Sequence, residues 1–237
     1  MMRGPARAAA LVAAALAGCV TISSSSVGTF AGVMPCADCA GILTELRLYA
    51  EQPSGRPVRY ELTETYLGSR EGDRSIAGGG PWEISEDVIQ LDLGRPGVPR
   101  NFLKVGDDEL RLLDRNRREL ASKAPHSLYR VSDLPAVTLV EADSGATVEV
   151  ERGGRVFVVL GSNRTTGFGW TLDAPASIAH LGDPVYTQGV TPREGGTEIW
   201  LLRAGASGKQ ELRFQYRRSF ESGAAPAKTV AFTLSVR

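Results

Sequence analysis

The feature that most constrains the fold of this chain is a two-residue alternation of apolar and polar side chains. It is clearest near the C-terminus, where Leu212, Phe214 and Tyr216 alternate with arginine and glutamine. Successive side chains of a strand point to opposite faces, so this period is typical of a strand with one buried face. Similar runs recur from residue 27 to the end of the chain. We therefore predict an all-β protein.

A first group of strands is predicted between residues 27 and 131, where no stretch has a convincing helical period. Clusters of glycine, proline and serine separate the strands, for example at 53–55 and 78–80, and such clusters are typical of turns. Closely spaced hairpins favour a small antiparallel β-barrel, because closure removes exposed sheet edges. The predicted strands are residues 42–50, 59–66, 81–84, 88–93, 101–105 and 110–113.

A second domain is predicted from residue 132 to residue 237, after a short polar stretch with a proline at 132–135. Many short strands within about a hundred residues are typical of an immunoglobulin-like β-sandwich. Trp170 and Trp200 occupy inward positions and are predicted to belong to its core. The predicted strands are residues 137–140, 147–150, 155–160, 168–172, 198–204, 211–217 and 229–236.

The first 18 residues are interpreted as a signal peptide: two arginines precede a short apolar run that ends in small residues before Cys19. Leu-Ala-Gly-Cys at 16–19 resembles the lipobox of bacterial lipoproteins, which implies cleavage before Cys19 and diacylglycerol on its sulfur. Val20 then implies the outer membrane, with the protein on its periplasmic face. Residues 19–26 would form a lipidated, serine-rich tether. The alternatives are a soluble secreted protein and an uncleaved N-terminal anchor.

Charge and motif content argue against two classes of function. The chain has 27 basic and 27 acidic side chains, so it has no basic excess to neutralise phosphates, and nucleic acid is not an expected partner. It also contains no Gly-x-Ser-x-Gly motif and no metal-binding histidine pair. A binding protein is therefore expected rather than an enzyme.

Cys36 and Cys39 form a CxxC pair at the start of the first domain. Outside the cytoplasm such a close pair normally becomes a disulfide. A second interpretation is a Cu(I) site, since two thiolates and the thioether of Met34 are soft ligands. A thioredoxin-like redox pair is a third, which the absence of a surrounding βαβ pattern disfavours. No other cofactor is expected.

Phe-Ala-Gly-Val at 30–33, the CxxC segment with Gly-Ile at 41–42, and Leu-Leu-Asp at 112–114 resemble the N-terminal domain of the NlpE family. This family of lipoproteins is linked to copper resistance and envelope stress sensing. The resemblance implies a lipocalin-like β-barrel. It also supplies an alternative function, that of an envelope stress sensor or copper-homeostasis lipoprotein acting through the CxxC pair.

Three stretches of the second domain, at 163–168, 193–197 and 216–220, resemble in order and spacing the inhibitory loops of the chagasin family of cysteine-protease inhibitors. Taken alone, the first stretch would be an ordinary β-connection. The resemblance implies loops that enter the cleft of a papain-family cysteine protease. The predicted protease-binding residues are Asn163, Arg164, Thr165, Thr166, Gly167, Phe168, Gly195, Gly196, Arg218 and Phe220.

The sequence departs from the chagasin pattern at two places. Arg164 stands where the family has proline, and the loss of a proline costs about 0.4 to 1 kcal/mol of preorganisation. Ser219 and Phe220 replace a proline and a tryptophan, which keeps an aromatic side chain but reduces its area. The leading hypothesis is a membrane-tethered inhibitor of papain-family proteases.

Overall fold

The computed structural model describes residues 23–69, 71–92, 94, 99–121, 126–188, 195–218 and 224–237. Within these ranges the regular structure consists of β-strands and two short 3₁₀ turns, Glu141–Asp143 and Arg164–Thr166. The prediction of an all-β chain with a barrel followed by a sandwich is confirmed. In the described part of the chain, no helix has the length and apolar character needed to cross a bilayer.

The barrel consists of nine antiparallel strands: β1 Ser24–Met34, β2 Gly41–Glu51, β3 Pro57–Ser69, β4 Gly72–Gly80, β5 Trp82–Ser85, β6 Val88–Leu91, β7 Arg100–Val105, β8 Glu109–Leu113 and β9 Ser127–Val131. They form one sheet in the order β4-β3-β2-β1-β9-β8-β7-β6-β5. The indole Nε1–H of Trp82 donates to the Tyr49 carbonyl at 2.8 Å, which brings β5 back to β2. The sheet is therefore a nearly closed barrel.

The interior of the barrel is apolar. Its largest buried side chains include Phe30, Leu46, Phe102 and Leu128, each at most 3% exposed. They come from strands spread around the sheet. Each of these strands buries one face, which explains the alternation of apolar and polar residues in the sequence.

Strand β1 was not among the predicted strands, of which the first was residues 42–50. β1 begins at Ser24, inside the stretch 19–26 that was predicted to be a tether. Ser24, Ser25 and Ser26 pair with the end of β2, and the carbonyl of Ser23 accepts a hydrogen bond from the Gln52 N–H at 2.9 Å. The serines are ordered because β2 is long enough to offer their backbone groups partners.

The three glycines at 78–80 were predicted to form a turn, and this prediction is wrong. They lie in β4, paired with Leu62, Glu61 and Tyr60 of β3. A Cβ at Gly79 would lie 2.7 Å from the Tyr60 carbonyl oxygen. Glycine is therefore used here for close approach of two backbones, a known role of glycine within strands.

The second domain is a sandwich of two sheets. Its strands are β10 Ala136–Val140, β11 Thr147–Val150, β12 Arg155–Ser162, β13 Phe168–Asp173, β14 Ile178–His180, β15 Val185–Gln188, β16 Gly196–Ala204, β17 Gly208–Arg218 and β18 Lys228–Val236. One sheet has the order β10-β12-β16-β14, with β15 also on β16; the other has the order β11-β18-β17-β13. Strands β14 and β15 were not predicted, because they have three and four residues and lie among proline, glycine and aspartate.

The core between the two sheets contains Phe214, Phe232 and Leu202, which are at most 1% exposed. Trp170 and Trp200 also lie in this core, as predicted. The ring of Trp200 packs edge-on against Phe214, with centroids 5.4 Å apart. This packing holds β13, β16 and β17 together just below one end of the sandwich.

Strand β12 is buried on both faces, unlike a strand at the surface of an isolated sandwich. Val156 and Val158 point into the sandwich core, whereas Phe157 packs in a separate cluster with Ile199 of β16. The barrel supplies Val33, Leu43 and Leu67 to that cluster. Because the barrel covers this face, a fragment of residues 132–237 alone would expose a contiguous apolar surface.

An ion pair between the buried guanidinium of Arg155 and the partly exposed carboxylate of Glu45 joins the two domains beside this apolar cluster. The guanidinium of Arg155 donates to the Glu45 carboxylate of the barrel and to the Leu134 carbonyl, each at 2.9 Å. Burial lowers the pKa of the Arg155 guanidinium, and the charge of Glu45 opposes this shift. The contact fixes the barrel against the start of β12.

Candidate functional site

The loop between β12 and β13 is a single 3₁₀ turn that is closed by its own side chains. The Asn163 carboxamide oxygen accepts the Thr165 N–H at 3.2 Å, and the Thr166 hydroxyl donates to the Asn163 carbonyl at 2.6 Å. Gly167 ends the turn with a φ of 79°, which favours glycine. These local bonds close the turn and define its conformation.

The loop is also tied to the opposite sheet. The Asn163 N–H donates to the Tyr216 hydroxyl of β17 at 2.7 Å. Thr165 and Thr166 remain exposed at the tip, so that their backbone and methyl groups are presented to solvent.

Glu198 lies beneath the loop and is 1% exposed. Its carboxylate accepts hydrogen bonds from the Ser162 hydroxyl at 3.1 Å, the Arg164 Nε–H at 3.0 Å and the Trp170 N–H at 3.4 Å. Ser162 precedes the loop, Arg164 lies in it and Trp170 follows it, so one carboxylate connects all three segments.

Glu198 was not among the site residues predicted from the sequence. Along β16, Glu198 belongs to the row of alternate residues that continues with Trp200 and Leu202 into the core. A charged residue on an inward row is rarely buried without partners. This position was the signal that could have identified it.

The two glycines of the second predicted loop lie against the first loop. Gly196 pairs with Ser162 across β12 and β16 and with Gln188 across β15 and β16. A Cβ at Gly196 would be 2.1 Å from the Thr187 carbonyl oxygen, and one at Gly195 would be 2.8 Å from the Ser162 carbonyl oxygen. A side chain at Gly195 would push the two loops apart, and one at Gly196 would push β15 away from β16.

The third predicted loop joins the site through stacked side chains. Arg218 pairs with Phe168 at the end of β17 and β13, and its guanidinium carbon lies 4.7 Å from the centroid of the Phe168 ring. Phe168 stacks on Tyr216 with centroids 5.1 Å apart, and Tyr216 contacts Trp170 at 4.9 Å. This column runs from the surface into the core.

The structure thus brings Asn163, Arg164, Thr165, Thr166, Gly167, Phe168, Gly195, Gly196 and Arg218 together at one end of the sandwich. Phe220 lies outside the described residues, as do residues 193 and 194 of the second loop and Cys19.

The CxxC pair forms the second site that the sequence indicated, and its predicted disulfide between Cys36 and Cys39 is present. Beside it lies a groove of about 310 Å³ lined by Asp38, Cys39, Tyr66, Ser69, Glu71, Arg74 and Ile76. Met34 is 7% exposed and packs in the barrel core. With both sulfurs bonded to each other, these residues do not form a Cu(I) site in the oxidised protein. Copper binding stays a prediction for the reduced form.

Two family models match different parts of the chain. The model of the NlpE N-terminal domain matches residues 30–123, and that of the chagasin family peptidase inhibitors matches residues 149–236. Among curated proteins, Lipoprotein NlpE of Escherichia coli K12 is 34% identical over 105 residues, which are 44% of this chain and 41% of that protein. The chain thus spans about two fifths of the length of this relative.

Solved structures with some similarity include a cysteine protease inhibitor from Entamoeba histolytica, with a TM-score of 0.40 and 18% identity over 45% of this chain and 99% of that one. The solution structure of amebosin gives a TM-score of 0.38 and 20% identity, covering 44% of this chain and 99% of that one. The Cpx pathway activator NlpE from Escherichia coli gives 0.33 and 20%, covering 87% and 91% of the two chains. The two matches do not overlap, so one chain carries a segment similar to the NlpE N-terminal domain followed by a segment similar to the chagasin family of peptidase inhibitors.

Proposed function

We propose that this protein is a membrane-tethered inhibitor of papain-family cysteine proteases, which it binds through the three loops at one end of its sandwich. The observation that carries the proposal is the closed 3₁₀ turn Arg164–Thr166, flanked by Gly195 on one side and Arg218 on the other. A rigid surface of this kind loses little conformational entropy on binding.

The proposed mechanism is occlusion of the protease cleft. The Thr165 and Thr166 hydroxyls already bond within the loop, and the turn presents compact backbone instead of an extended strand. An extended segment is what a protease cleaves, so a closed turn can fill the cleft without being cut. The inhibitor supplies no catalytic group.

Most of the binding energy is expected from a few large side chains. Arg218 and Phe220 are of the arginine and aromatic types that dominate protein interfaces, whereas the contacts around them mainly exclude water. Arg218 is already stacked on Phe168 and so loses little rotamer freedom on binding.

The test is a titration of papain or a cathepsin-type protease with the soluble chain from residue 20 onwards. The whole chain is used because the barrel covers Phe157 and Ile199. Phe220→Ala should weaken inhibition by about thirtyfold, which corresponds to about 2 kcal/mol. Ile84→Ala, at an exposed position of the barrel, is the control and should inhibit like the wild type. Full protease activity at micromolar wild-type protein, for several such proteases, would contradict the proposal.

Anchoring through lipid on Cys19 is part of the same proposal and places the inhibitor on the periplasmic face of the outer membrane. The signal, the lipobox-like segment and the serines follow one another in the order that a lipoprotein requires. Two or more acyl chains give stable attachment. Cys19→Ala should move the protein from the membrane fraction to the soluble fraction. Equal membrane association of the variant and the wild type would exclude the lipid anchor.

A second candidate function is favoured by the first domain. Its relationship to Lipoprotein NlpE and the groove beside the disulfide fit an envelope sensor or copper-homeostasis lipoprotein that acts through Cys36 and Cys39. Only thiolates are good copper ligands, so binding would require reduction. Competition of the reduced chain with a Cu(I) chelator, compared with a Cys36→Ser/Cys39→Ser variant, tests this function. Equal competition by the two proteins would exclude it.

A further inference from the structure

We infer that Glu198 is a positioning residue of the inhibitory loop: it holds the side chain of Arg164 and thereby keeps residues 164–166 in the turn. The expected effect of Glu198 on protease inhibition rests on the proposed function, whereas its expected effect on the conformation of the turn does not.

The loop and the two strands beside it converge on Glu198. The carboxylate is almost completely buried, yet it accepts hydrogen bonds from Ser162 before the turn and Trp170 after it. A buried carboxylate requires several donors, because its loss of hydration is otherwise uncompensated. The hydroxyl and the backbone N–H anchor it to the two strands, and its remaining contact is with the loop itself.

The side chain of Arg164 is held by contacts on two sides. Its Nε–H donates to Glu198 at 3.0 Å, and its guanidinium carbon lies 4.7 Å from the centroid of the Tyr186 ring. The side chain is thus held by a carboxylate at one edge and an aromatic face at the other, although it is 47% exposed. A long, flexible side chain at the start of an exposed turn is fixed here by two neighbouring strands, β15 and β16.

The backbone conformation at residue 164 would accept a proline. Arg164 is the first residue of the turn, where proline is tolerated, and Asn163 before it has φ −128° and ψ 86°, outside the α region that a following proline disfavours. Among the described residues, no hydrogen bond from the Arg164 N–H is seen. The clamp of Arg164 by Glu198 and the ring of a proline are therefore two alternative ways to restrict the same turn.

Because proline at position 164 could replace the contact between Arg164 and Glu198, a variant with this proline distinguishes a positioning role of Glu198 from general support of the fold. If Glu198 acts through Arg164, replacing Glu198 weakens inhibition when residue 164 is arginine but not when residue 164 is a proline, which restricts the turn by itself. If Glu198 merely supports Ser162 and Trp170, its replacement has the same effect whichever residue occupies position 164. A double-mutant cycle distinguishes the two cases.

The cycle compares wild type, Glu198→Gln, Arg164→Pro and the double variant in papain inhibition, with folding checked by thermal unfolding. Glutamine retains an acceptor for Ser162 or Trp170 but removes the charge that holds Arg164. We expect Glu198→Gln to raise the inhibition constant at least tenfold, and the same change in the Arg164→Pro background to raise it less than threefold. An equal increase in both backgrounds overturns the inference.

A second readout does not depend on protease inhibition. Trypsin cleaves after arginine in extended, mobile segments, so the rate of cleavage between Arg164 and Thr165 in the folded protein reports opening of the turn. Glu198→Gln should be cut at this bond at least ten times faster than wild type. Glu211→Gln, which breaks an exposed ion pair with Arg213 in the same domain, is the control and should be cut at the wild-type rate.

The two readouts separate failure of the inference from failure of the proposed function. A wild-type chain that does not inhibit papain, together with faster trypsin cleavage of Glu198→Gln, supports the clamp and contradicts the inhibitor function. Unchanged cleavage of Glu198→Gln contradicts the clamp whatever the inhibition data. If Glu198→Gln does not fold, Arg164→Met takes its place: it removes the clamp from the other side, and inhibition equal to wild type overturns the inference.

Discussion

The loop between β12 and β13 and the loop between β1 and β2 carry the two candidate functions, and they are held by different means. The first, residues 163–167, is fixed by hydrogen bonds within itself and by contacts to Tyr216 and Glu198. The second, residues 35–40, is closed by the disulfide, and the Ala40 N–H donates to the Leu67 carbonyl at 2.7 Å.

The difference predicts how each loop responds to perturbation. The first loop is fixed by hydrogen bonds to two strands, β16 and β17, so it depends on the packing of the sandwich and is indifferent to reductant. A loop closed by a disulfide depends on the redox state and much less on distant packing. Substitutions that affect the packing of the sandwich but not the disulfide, or the reverse, therefore distinguish the inhibitor function from the sensor or copper function.

The largest expected effect comes from Gly196→Ala, which acts on the sandwich and not on the disulfide-closed loop at 35–40. The new methyl group would lie 2.1 Å from the Thr187 carbonyl oxygen, so β15 and β16 must separate. We expect a loss of about 3 kcal/mol in the free energy of unfolding, in the upper range of overpacking effects, together with loss of protease inhibition. Urea denaturation measures the first and papain titration the second.

The control for this change is Gly169→Ala, in strand β13 of the opposite sheet. The nearest atom to its new methyl group is the Glu198 Oε1, at an ordinary contact distance of 3.8 Å. It should unfold at nearly the wild-type urea concentration. Equal destabilisation by the two variants would show that the close approach at Gly196 is not what limits the site.

An intermediate effect is expected for Cys36→Ser/Cys39→Ser, which acts on the second loop only. The bridge closes a very short ring, and chain-entropy arguments place its stabilisation at about 2 kcal/mol or less. The unfolding free energy should fall by that amount, whereas the papain inhibition constant should stay within about twofold of wild type. A large loss of inhibition would show that the two loops are coupled through the interface between the domains.

Strands with a clear alternation were predictable to within a few residues. The predicted strand 147–150 is Thr147–Val150 in the structure, and the predicted strand 211–217 lies within Gly208–Arg218. Each buries one face, so the period in the sequence reports the structure directly. Strand β4 was missed because its residues are almost all exposed and its glycines serve close backbone approach.

The contacts that position the site were less predictable, since they join residues far apart in the chain. The apolar run that contains Phe157 indicates a strand but not that the barrel covers its outer face. Glu198 is 34 residues from Arg164, and its role follows from the pairing of β12 with β16, which a single sequence does not specify. The loop itself was recognisable, because Asn, Thr and Gly at 163–167 form bonds that are local in sequence.

The smallest expected effect, and the sharpest test of how the first loop is held, is Thr166→Val. Valine keeps the branched shape but removes the hydroxyl that donates to the Asn163 carbonyl at 2.6 Å. One neutral hydrogen bond contributes about 1 kcal/mol, so papain inhibition should weaken by roughly fivefold. The matched control is Thr171→Val in β13, where the lost bond to the Gln215 carbonyl is 3.3 Å long and lies outside the loop. Equal inhibition by the two variants would mean that the Thr166 hydroxyl does not help to hold the turn, whereas selective weakening by Thr166→Val would assign part of the rigidity of the turn to this bond.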